Sequence, residues 1–447
     1  MKIGILNYTS SWKTISSQIG INFEEINLFH NNLDNFNFII INRNTSNDEN
    51  NILNRLLNNG TELLEIKNYF TKSDLYSKFV NSLHPSLFGD ILYNQVIDFN
   101  SILYFYSNNS FFNIIKTKYS NIYQLGIDVD EFYTDTKTTR KNFYFSNSTR
   151  YPNETVASNS KYQIRQIIYS ILLNSNFDLN SNKRQSIFTF RIDSDKSSEY
   201  QMFSLYEVLN KYDIKGTWFL DIKSHIHFFE KLLNYKKQEL GIHCYEHNQF
   251  KNYNLRKSDI QKAISFFKNF NLKQNGISAP FGEWNNEINS IYEEFNFSYS
   301  SEFSLDYDNF PFYPILKNKF SNVLQIPIHP ICIGSLRIAS FSEKEMIKYY
   351  ETIILNKFKM NEPICLYHHP THGHHNVLEF IFDFVTKLGI PKLNYNTYSY
   401  LWKNNQLYFG CNKNFVQNYA RNLSSTRQFS IRHKIQNYLE SYYKLTP

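Results

Sequence analysis

The sequence predicts an α/β protein in two parts. Repeated β-α units in the C-terminal half point to a parallel barrel or a doubly wound sheet, preceded by a small doubly wound, flavodoxin-like domain. Three observations lead to this fold class. The chain has 447 residues, too many for one ordinary core. Hydrophobic residues make up 42% of it, which is enough for packed cores. Apolar runs typical of buried parallel strands alternate with stretches of helical periodicity.

The N-terminal α/β domain is expected over residues 1–135. Apolar runs at 2–8, 36–43 and 61–66 predict strands, and helical periodicity at 11–20 and 48–60 predicts helices between them. The turn after the first strand, "NYTSSW", contains no glycine, so it is no Gly-rich phosphate loop. Nucleotide binding is therefore unsupported, and a structural or partner-binding role with an unknown protein partner is the favoured interpretation.

The rest of the chain divides into three predicted parts. Residues 136–185 form a connecting segment whose stretch 160–177 predicts an amphipathic helix with Ser160 as N-cap candidate. Residues 186–403 carry the β-α repeats, in which 224–235 is predicted as a helix and 274–281 as a strand. Residues 404–447 form a C-terminal extension with one more strand, "QLYFGC", and a basic helix.

Charge and cysteine usage exclude several classes of protein. The net charge of +7 has no clustered basic stripe, which argues against nucleic-acid binding. The four cysteines lie far apart with no CxxC pair, which argues against a disulfide scaffold and a thiolate zinc site. No apolar run is long enough to span a membrane. The stretch "MKIGILNYTSSWK" lacks the features of a signal peptide, so we expect a cytoplasmic protein.

Charged residues stand at the end of the first predicted barrel strand. The stretch "FTFRIDSDKSSEY" begins as a buried strand and then presents Arg191, Asp193 and Asp195. Residues i, i+2 and i+4 of a strand share one face, so the three side chains are expected to point the same way. Because burying an unpaired carboxylate is costly, the cluster requires a metal, a partner or a pocket.

Histidines follow other predicted strands. His243 and His247 end "ELGIHCYEH" and would face one way if the chain turned helical there, since i and i+4 are neighbours on a helix. Alone, two such histidines are more often surface residues. Two imidazoles with one carboxylate nevertheless make the three-ligand set of a catalytic metal. Other strand ends carry a Pro-Phe-Gly turn around Phe281, then His329, and finally the pair His368 and His369.

This order of motifs resembles the polysaccharide deacetylase family, with its NodB homology domain, over residues 186–403. The resemblance implies a distorted (β/α) barrel of the NodB type and a metal-dependent hydrolase that removes acetyl groups from sugars. It maps the general base onto Asp193 and the metal ligands onto Asp195, His243 and His247. It implies one divalent metal ion, for which we expect Zn²⁺, and an oxyanion donor in the backbone N–H of Phe281.

The sequence departs from the family pattern at one motif. The family carries an arginine just before its Pro-aromatic pair, where this chain has Ser278. One interpretation is that Arg191 substitutes for that arginine in orienting Asp193. The other is that it pairs with a surface acid or covers apolar surface.

The fifth motif of the family supplies a histidine acid and fits two frames here. Since adjacent strand residues point to opposite faces, only one of His368 and His369 can enter the pocket, and His369 is favoured. The remaining histidines, His372, His374 and His375, are interpreted as loop residues in solvent, with a second metal site the less favoured alternative. A structural role is favoured for His329.

Together these residues predict a metal-dependent deacetylase acting on an N-acetylated sugar or glycan precursor, in surface polysaccharide metabolism. Two alternatives stay open. One is hydrolysis of another linear C–N amide bond, and the other is a catalytically degenerate barrel that binds glycans or serves as a scaffold.

Overall fold

The computed structural model describes residues 2–30, 32–66, 93–97, 104–107, 114–116, 121–125, 128–143, 151–158, 160–174, 186–248, 252–359 and 361–404. The chain divides into two compact units. The first comprises Met1–Asp135, Asn159–Lys183 and Gly410–Pro447, and the second Thr136–Ser158 and Arg184–Phe409. Among the helices of the described residues, none has the length and apolar character needed to cross a membrane.

The first unit contains a six-stranded sheet in the order β2-β1-β3-β4-β8-β7. Its neighbours pair in parallel, apart from the antiparallel pair β7–β8. The central order 2-1-3-4 is that of flavodoxin-like folds, as the sequence predicts. The strands are β1 (Lys2–Leu6), β2 (Phe23–Glu25), β3 (Phe36–Ile41), β4 (Glu62–Ile66), the separate hairpin β5 (Tyr93–Ile97) and β6 (Tyr104–Ser107), β7 (Ile114–Lys116) and β8 (Ile122–Leu125). The helices are α1 (Ser10–Ile19), α2 (Asn47–Asn58), α3 (Val129–Thr134) and α4 (Lys161–Asn174).

Local sequence explains these elements. α2 begins at a capping box, in which the Ser46 hydroxyl accepts from the Glu49 N–H and the Glu49 carboxylate from the Ser46 N–H. α1 ends at Gly20, whose φ of 72° lies in the left-handed region that glycine adopts without strain. One core cluster joins strands and helix through buried aliphatic side chains that include Leu6, Ile39 and Leu53.

The second unit is built on a parallel sheet in the order β18-β15-β14-β13-β12-β11-β19, with β20 also paired to β11. The strands are β9 (Thr138–Asn142), β10 (Asn153–Ala157), β11 (Phe188–Asp193), β12 (Gly216–Asp221), β13 (Glu239–Cys244), β14 (Gly276–Ile277), β15 (Tyr299–Ser300), β16 (Ile315–Leu316), β17 (Lys319–Phe320), β18 (Leu324–Gln325), β19 (Ile364–His368) and β20 (Lys392–Leu393). The helices are α5 (Glu199–Lys211), α6 (Ile222–His225), α7 (Phe229–Leu232), α8 (Tyr253–Asn269), α9 (Asn286–Glu294), α10 (Ile333–Ile338), α11 (Glu343–Lys359), α12 (His375–Lys387) and α13 (Tyr395–Lys403).

The two ends of this sheet approach each other. Beyond β18, the N–H of His329 donates to the carbonyl of Cys365 in β19 at 2.8 Å. The sheet therefore curls into a distorted barrel with a narrow seam, which confirms the predicted fold class. Its carboxyl ends meet on one side, where parallel barrels place their functional groups.

Several predicted elements are shorter than expected. The predicted helix 224–235 is interrupted at His225 and Phe228, whose φ values of −112° and −132° are not helical, and it splits into α6, a 3₁₀ turn and α7. The predicted strand 274–281 is reduced to the two residues of β14. A Cβ at Gly276 would lie 2.0 Å from the ring of Tyr299, so the small residue allows these neighbouring strands to meet.

The predicted connecting segment is shared between the units. Residues 138–142 and 153–157 form the antiparallel hairpin β9–β10, and the N–H of Ala157 donates to the carbonyl of Phe303 at 3.1 Å. The predicted helix 160–177 corresponds to α4, which belongs to the first unit. The strand and helix predicted for 404–447 lie outside the described residues, apart from residue 404.

Candidate active site

Arg191 and Asp193 form a buried ion pair on β11. The Nε and Nη2 of Arg191 each donate to one oxygen of Asp193 at 2.7 Å, and the two residues are 0% and 3% exposed. A further Arg191 nitrogen donates to the carbonyl of Ser301. Burial raises the pKa of Asp193, but the charge and hydrogen bonds of Arg191 outweigh it and the net pKa is lowered. Arg191 therefore contacts Asp193 and not a surface acid.

Asp195 lies beyond the strand, which corrects one expectation. β11 ends at Asp193, so only Arg191 and Asp193 share a strand face. Asp195 has a φ of 40° and stands in the turn before α5. The Asp195 carboxylate therefore reaches His243 and His247 from this left-handed turn and not from the strand.

Asp195, His243 and His247 bring their ligand atoms together. The Oδ1 of Asp195 lies 3.3 Å from the Nε2 of His243 and 3.4 Å from the Nε2 of His247. This oxygen is buried and has no hydrogen-bond partner among the described residues. Burial raises the pKa of Asp195, but the three imidazoles around it, with His243 foremost, lower it to a greater extent. One carboxylate oxygen and two imidazole nitrogens around one point form a set that could hold a divalent metal.

The orientation of His243 is fixed by its second nitrogen. Its Nδ1 is 2.7 Å from the carbonyl oxygen of Ser278, which can only accept a hydrogen bond. The Nδ1 therefore carries a proton, and Nε2 is the nitrogen that faces Asp195. The side chain of Ser278 stands where the family has its arginine, whereas its backbone orients a candidate ligand. The donor set thus fits a metal ion.

A bend, not a helix, brings His247 to His243. After β13 the chain bends through Tyr245 and Glu246, and α8 begins only at Tyr253, so the expected helical turn is absent there. The carboxylate of Asp259 on α8 accepts from the N–H of Tyr245 at 2.9 Å and of Glu246 at 3.0 Å. These bonds fix the bend. Sequence reasoning missed Asp259 because its role depends on a contact between separate elements.

The turn that carries Phe281 is held by two residues that the sequence analysis did not nominate. Phe281 has a φ of 63°, and its ring lies 5.0 Å from the ring of His247. The Oε1 of buried Glu302 accepts from the Ala279 N–H at 2.7 Å, and the Ser304 hydroxyl donates to the Gly282 carbonyl at 2.6 Å. Glu302 and Ser304 belong to "SSEFSLDYDNFPFYP", which matches the family's fourth motif too loosely to single out a residue.

His368 and His369 point to different environments. The Nε2 of His369 lies 3.5 Å from the Oδ2 of Asp195, and its side chain is 18% exposed. His368 is fully buried beside Phe190, and burial lowers its pKa well below the usual value. The structure thus places His369, and not His368, beside the candidate metal ligands.

A buried thiol stands close to His369. Burial raises the pKa of Cys332, but the neighbouring imidazoles of His369 and His372 lower it well below that of an ordinary thiol. In return, although burial lowers the pKa of His369, Cys332 and the carboxylates of Asp195 and Asp193 raise it to about 9. A protonated ring at neutral pH is what a general acid requires.

The other histidines have structural partners. His329 is buried, with Nδ1 3.0 Å from Asp308 and Nε2 3.0 Å from the Tyr349 hydroxyl, in line with its predicted structural role. His374 pairs with Glu343 at 3.0 Å. His375 is the first residue of α12 and not a loop residue.

Residues 180–300 match the family model described as polysaccharide deacetylase. This confirms the resemblance for that part of the chain. A search of the curated proteins finds no match.

Three solved structures show similarity to the C-terminal half. A Mycobacterium smegmatis protein assigned as a polysaccharide deacetylase is 15% identical, with a TM-score of 0.43, over 51% of this chain and 93% of that chain. A pseudoenzyme of carbohydrate esterase family 4 from Bacillus anthracis is 15% identical, with a TM-score of 0.36, over 48% and 66%. A peptidoglycan deacetylase from Bacillus subtilis is 13% identical, with a TM-score of 0.34, over 50% and 93%.

Proposed function

We propose that this protein, whose residues 180–300 match the polysaccharide deacetylase family, is a metal-dependent hydrolase. Its proposed substrate is an N-acetylated sugar. The substrate would be a glycan or glycan precursor of surface polysaccharide metabolism. The metal is proposed to be Zn²⁺, held by Asp195, His243 and His247.

One observation carries the proposal. The Oδ1 of Asp195 is buried without a hydrogen-bond partner among the described residues, between two imidazole nitrogens at 3.3 and 3.4 Å. A buried anionic oxygen without a hydrogen bond is energetically unfavourable unless a cation binds to it. One carboxylate and two imidazoles, one of them oriented through its second nitrogen, are the ligands of a zinc site with an open position.

The reaction divides among four groups. A bound divalent ion would supply Lewis acidity toward the acetyl carbonyl and lower the pKa of water. Asp193, kept ionised by Arg191, is the proposed general base that takes the proton of the attacking water. His369 is the proposed acid that protonates the departing amine. The N–H of Phe281, on its constrained turn, is the proposed donor to the developing oxyanion.

The first test measures metal content and acetate release together. Purified wild-type protein, His243→Ala and the exposed-histidine control His227→Ala are analysed for bound metal and assayed with N-acetylglucosamine oligomers. We expect near-stoichiometric zinc or a similar metal in the wild type and His227→Ala. We expect His243→Ala to be inactive and to hold one equivalent of metal less than the wild type.

The outcomes separate the alternatives. Metal-free wild-type protein that takes up no added zinc contradicts the hydrolase proposal and favours a glycan-binding or scaffold role. Metal-loaded protein that releases no acetate from any N-acetylated sugar, but hydrolyses a linear non-sugar amide, contradicts the sugar specificity alone.

A further inference from the structure

A second group of metal-ligating atoms lies beside the first. Cys332, His369 and His372 each offer one ligand atom, and these atoms lie within 4.8 Å of one another. The Sγ of Cys332 is 3.8 Å from the Nδ1 of His372, and the rings of His369 and His372 are 4.6 Å apart. None of these residues belongs to the Asp195, His243 and His247 set.

Two distant parts of the sequence build this cluster. Cys332 immediately precedes α10. His369 precedes a 3₁₀ turn that ends at His372, and the His372 N–H donates to the His369 carbonyl at 2.9 Å. The ring of His372 lies against Gly334, where an added Cβ would be 2.2 to 2.6 Å from three of its atoms. Only glycine at 334 leaves room for His372 beside Cys332.

The cluster contains a donor atom that the first site does not use. The Nδ1 of His369 is buried and has no hydrogen-bond partner in the part of the chain that the structure describes. The Nε2 of the same ring faces Asp195 at 3.5 Å. An imidazole can use either nitrogen, so this ring stands between two candidate cation positions.

We propose that Cys332, His369 and His372 bind a second transition-metal ion of the zinc type. A thiolate and imidazoles bind Zn²⁺ at about 2.3 and 2.0–2.1 Å in tetrahedral geometry, which places ligand atoms roughly 3.5 Å apart. The observed separation of 3.8 Å between Cys332 and His372 is close to that value. On binding, a metal–sulfur bond forms to the Cys332 thiolate, and the Nδ1 proton of His369 leaves to solvent as the metal–nitrogen bond forms. Three protein ligands leave the fourth position to water.

Occupation of this second site has a consequence for catalysis. The consequence, unlike the site itself, rests on the proposed function, in which His369 is the acid. A metal ion on Nδ1 of His369 takes the place of the second imidazolium proton, and the remaining Nε2–H is too weak an acid to protonate the departing amine. Zinc beyond one equivalent is therefore expected to inhibit acetate release.

Cobalt reports the second site without reference to activity. The 447-residue chain is titrated with Co²⁺ in the presence of a phosphine reductant, which keeps the thiols reduced. The absorbance of the charge-transfer band from thiolate to cobalt is recorded in the near ultraviolet. The Asp195, His243 and His247 set has no sulfur and gives no such band. We expect the band in the wild type and in His243→Ala, and its absence in Cys332→Ser. Cys244→Ser, which removes a buried thiol elsewhere, is the matched control and keeps the band.

Absence of the band at excess cobalt in folded wild-type protein overturns the proposal, as does an undiminished band in Cys332→Ser. If Cys332→Ser does not fold, Gly334→Ala provides the second test, because it displaces His372 while keeping the thiol. We expect at least a tenfold weaker second binding step in Gly334→Ala, in line with the roughly 10–100-fold cost of disturbing a metal ligand's surroundings. An unchanged affinity contradicts the site. The band with no acetate release from any sugar supports the second site and contradicts only the proposed function.

Discussion

Arg191 and Asp193 are two residues apart on one strand and both are buried. Removing two charges from water is costly, and here a bidentate pair with a third hydrogen bond to Ser301 offsets that cost. The pair keeps Asp193 ionised and fixes the direction of its oxygens. A carboxylate in this state is suited to act as a base next to a metal site.

Two substitutions of Arg191 test separately the contributions of its charge and of its planar guanidinium group. Arg191→Met leaves Asp193 as an uncompensated buried charge, so we expect a loss of about 3–5 kcal/mol in the free energy of unfolding. Arg191→Lys keeps a cation but not the planar fork, and we expect kcat to fall roughly 100-fold with KM little changed. Urea unfolding and acetate-release kinetics measure these effects, with the exposed Arg337→Lys as control. A wild-type kcat in Arg191→Lys would show that the fork is not needed.

The pH profile tests the thiol beside His369. Asp193 acts deprotonated, so activity is present above its lowered pKa and is lost as pH falls through it. His369 acts protonated, so activity is present below its raised pKa and is lost as pH rises through it. Cys332 raises the pKa of His369, so Cys332→Ser is expected to move the alkaline limb of kcat/KM to lower pH. The profile is measured at one equivalent of metal, with Cys244→Ser as control. An alkaline limb at the same pH in both proteins contradicts this role of Cys332.

The turn that carries Phe281 depends on Gly282. An alanine Cβ there would lie 2.4 Å from the ring of Phe303, at a φ of +60°. Gly389 offers a matched comparison, because its φ is +66° but nothing lies within 4 Å of an added Cβ. Both alanine variants place a Cβ on a backbone with positive φ, which is strained. Only in Gly282→Ala does the added Cβ also clash with the ring of Phe303. We expect Gly282→Ala to be less stable than Gly389→Ala by about 1–3 kcal/mol and to lose activity. Equal unfolding midpoints in urea for the two variants would contradict the predicted clash.

The bend between His243 and His247 depends on a helix that contributes no ligand. Asp259→Ala removes both acceptors that hold the backbone of Tyr245 and Glu246, so His247 is expected to lose its fixed position. We expect a roughly 10–100-fold drop in metal affinity, measured by competition with a chromophoric chelator. Asp383→Ala, on the exposed face of α12, is the control. Unaltered affinity in Asp259→Ala would mean that the bend holds by itself.

The proximity of the candidate ligands was predictable, but the backbone path between them was not. Strand ends and residue types were sufficient to predict that Asp195, His243 and His247 lie near one another, because parallel strands bring their ends to one edge. A left-handed Asp195 and a bent Tyr245–Glu246 segment are determined by contacts between separate elements, which periodicity does not encode.

Residues far from any motif were missed for the same reason. Cys332 lies 37 positions before His369 in the sequence, and its approach to that ring follows from the contact between the start of α10 and the 3₁₀ turn after β19. Glu302 reaches the Phe281 turn through a hydrogen bond to a backbone N–H. Such contacts leave no pattern in one sequence. The two-part fold was predictable because many strands and helices each contribute to it.

Metal binding should stabilise one of the two units selectively. The candidate ligands all belong to the second unit, so a ligand present at about 100 times its Kd is expected to add about 2.7 kcal/mol to that unit's stability. Hydrogen exchange followed by mass spectrometry measures this unit by unit. We expect slower exchange in 186–248 on adding zinc, little change in β1, β3 and β4, and a smaller zinc effect in His243→Ala, in which only the proposed second site remains. Equal protection of both units would contradict a site confined to the second.

The seam of the barrel has a mechanical consequence. At its two edges the sheet is joined by the bond from His329 to Cys365, and β19 leads directly into His369. The Tyr367 hydroxyl makes a second bond across the seam, to the carbonyl of Pro330 at 3.1 Å. Because β11 pairs with β19, the strand that carries Asp193 and the strand that leads to His369 are held side by side. The closed seam therefore keeps the proposed base and the proposed acid in one fixed arrangement when a substrate binds.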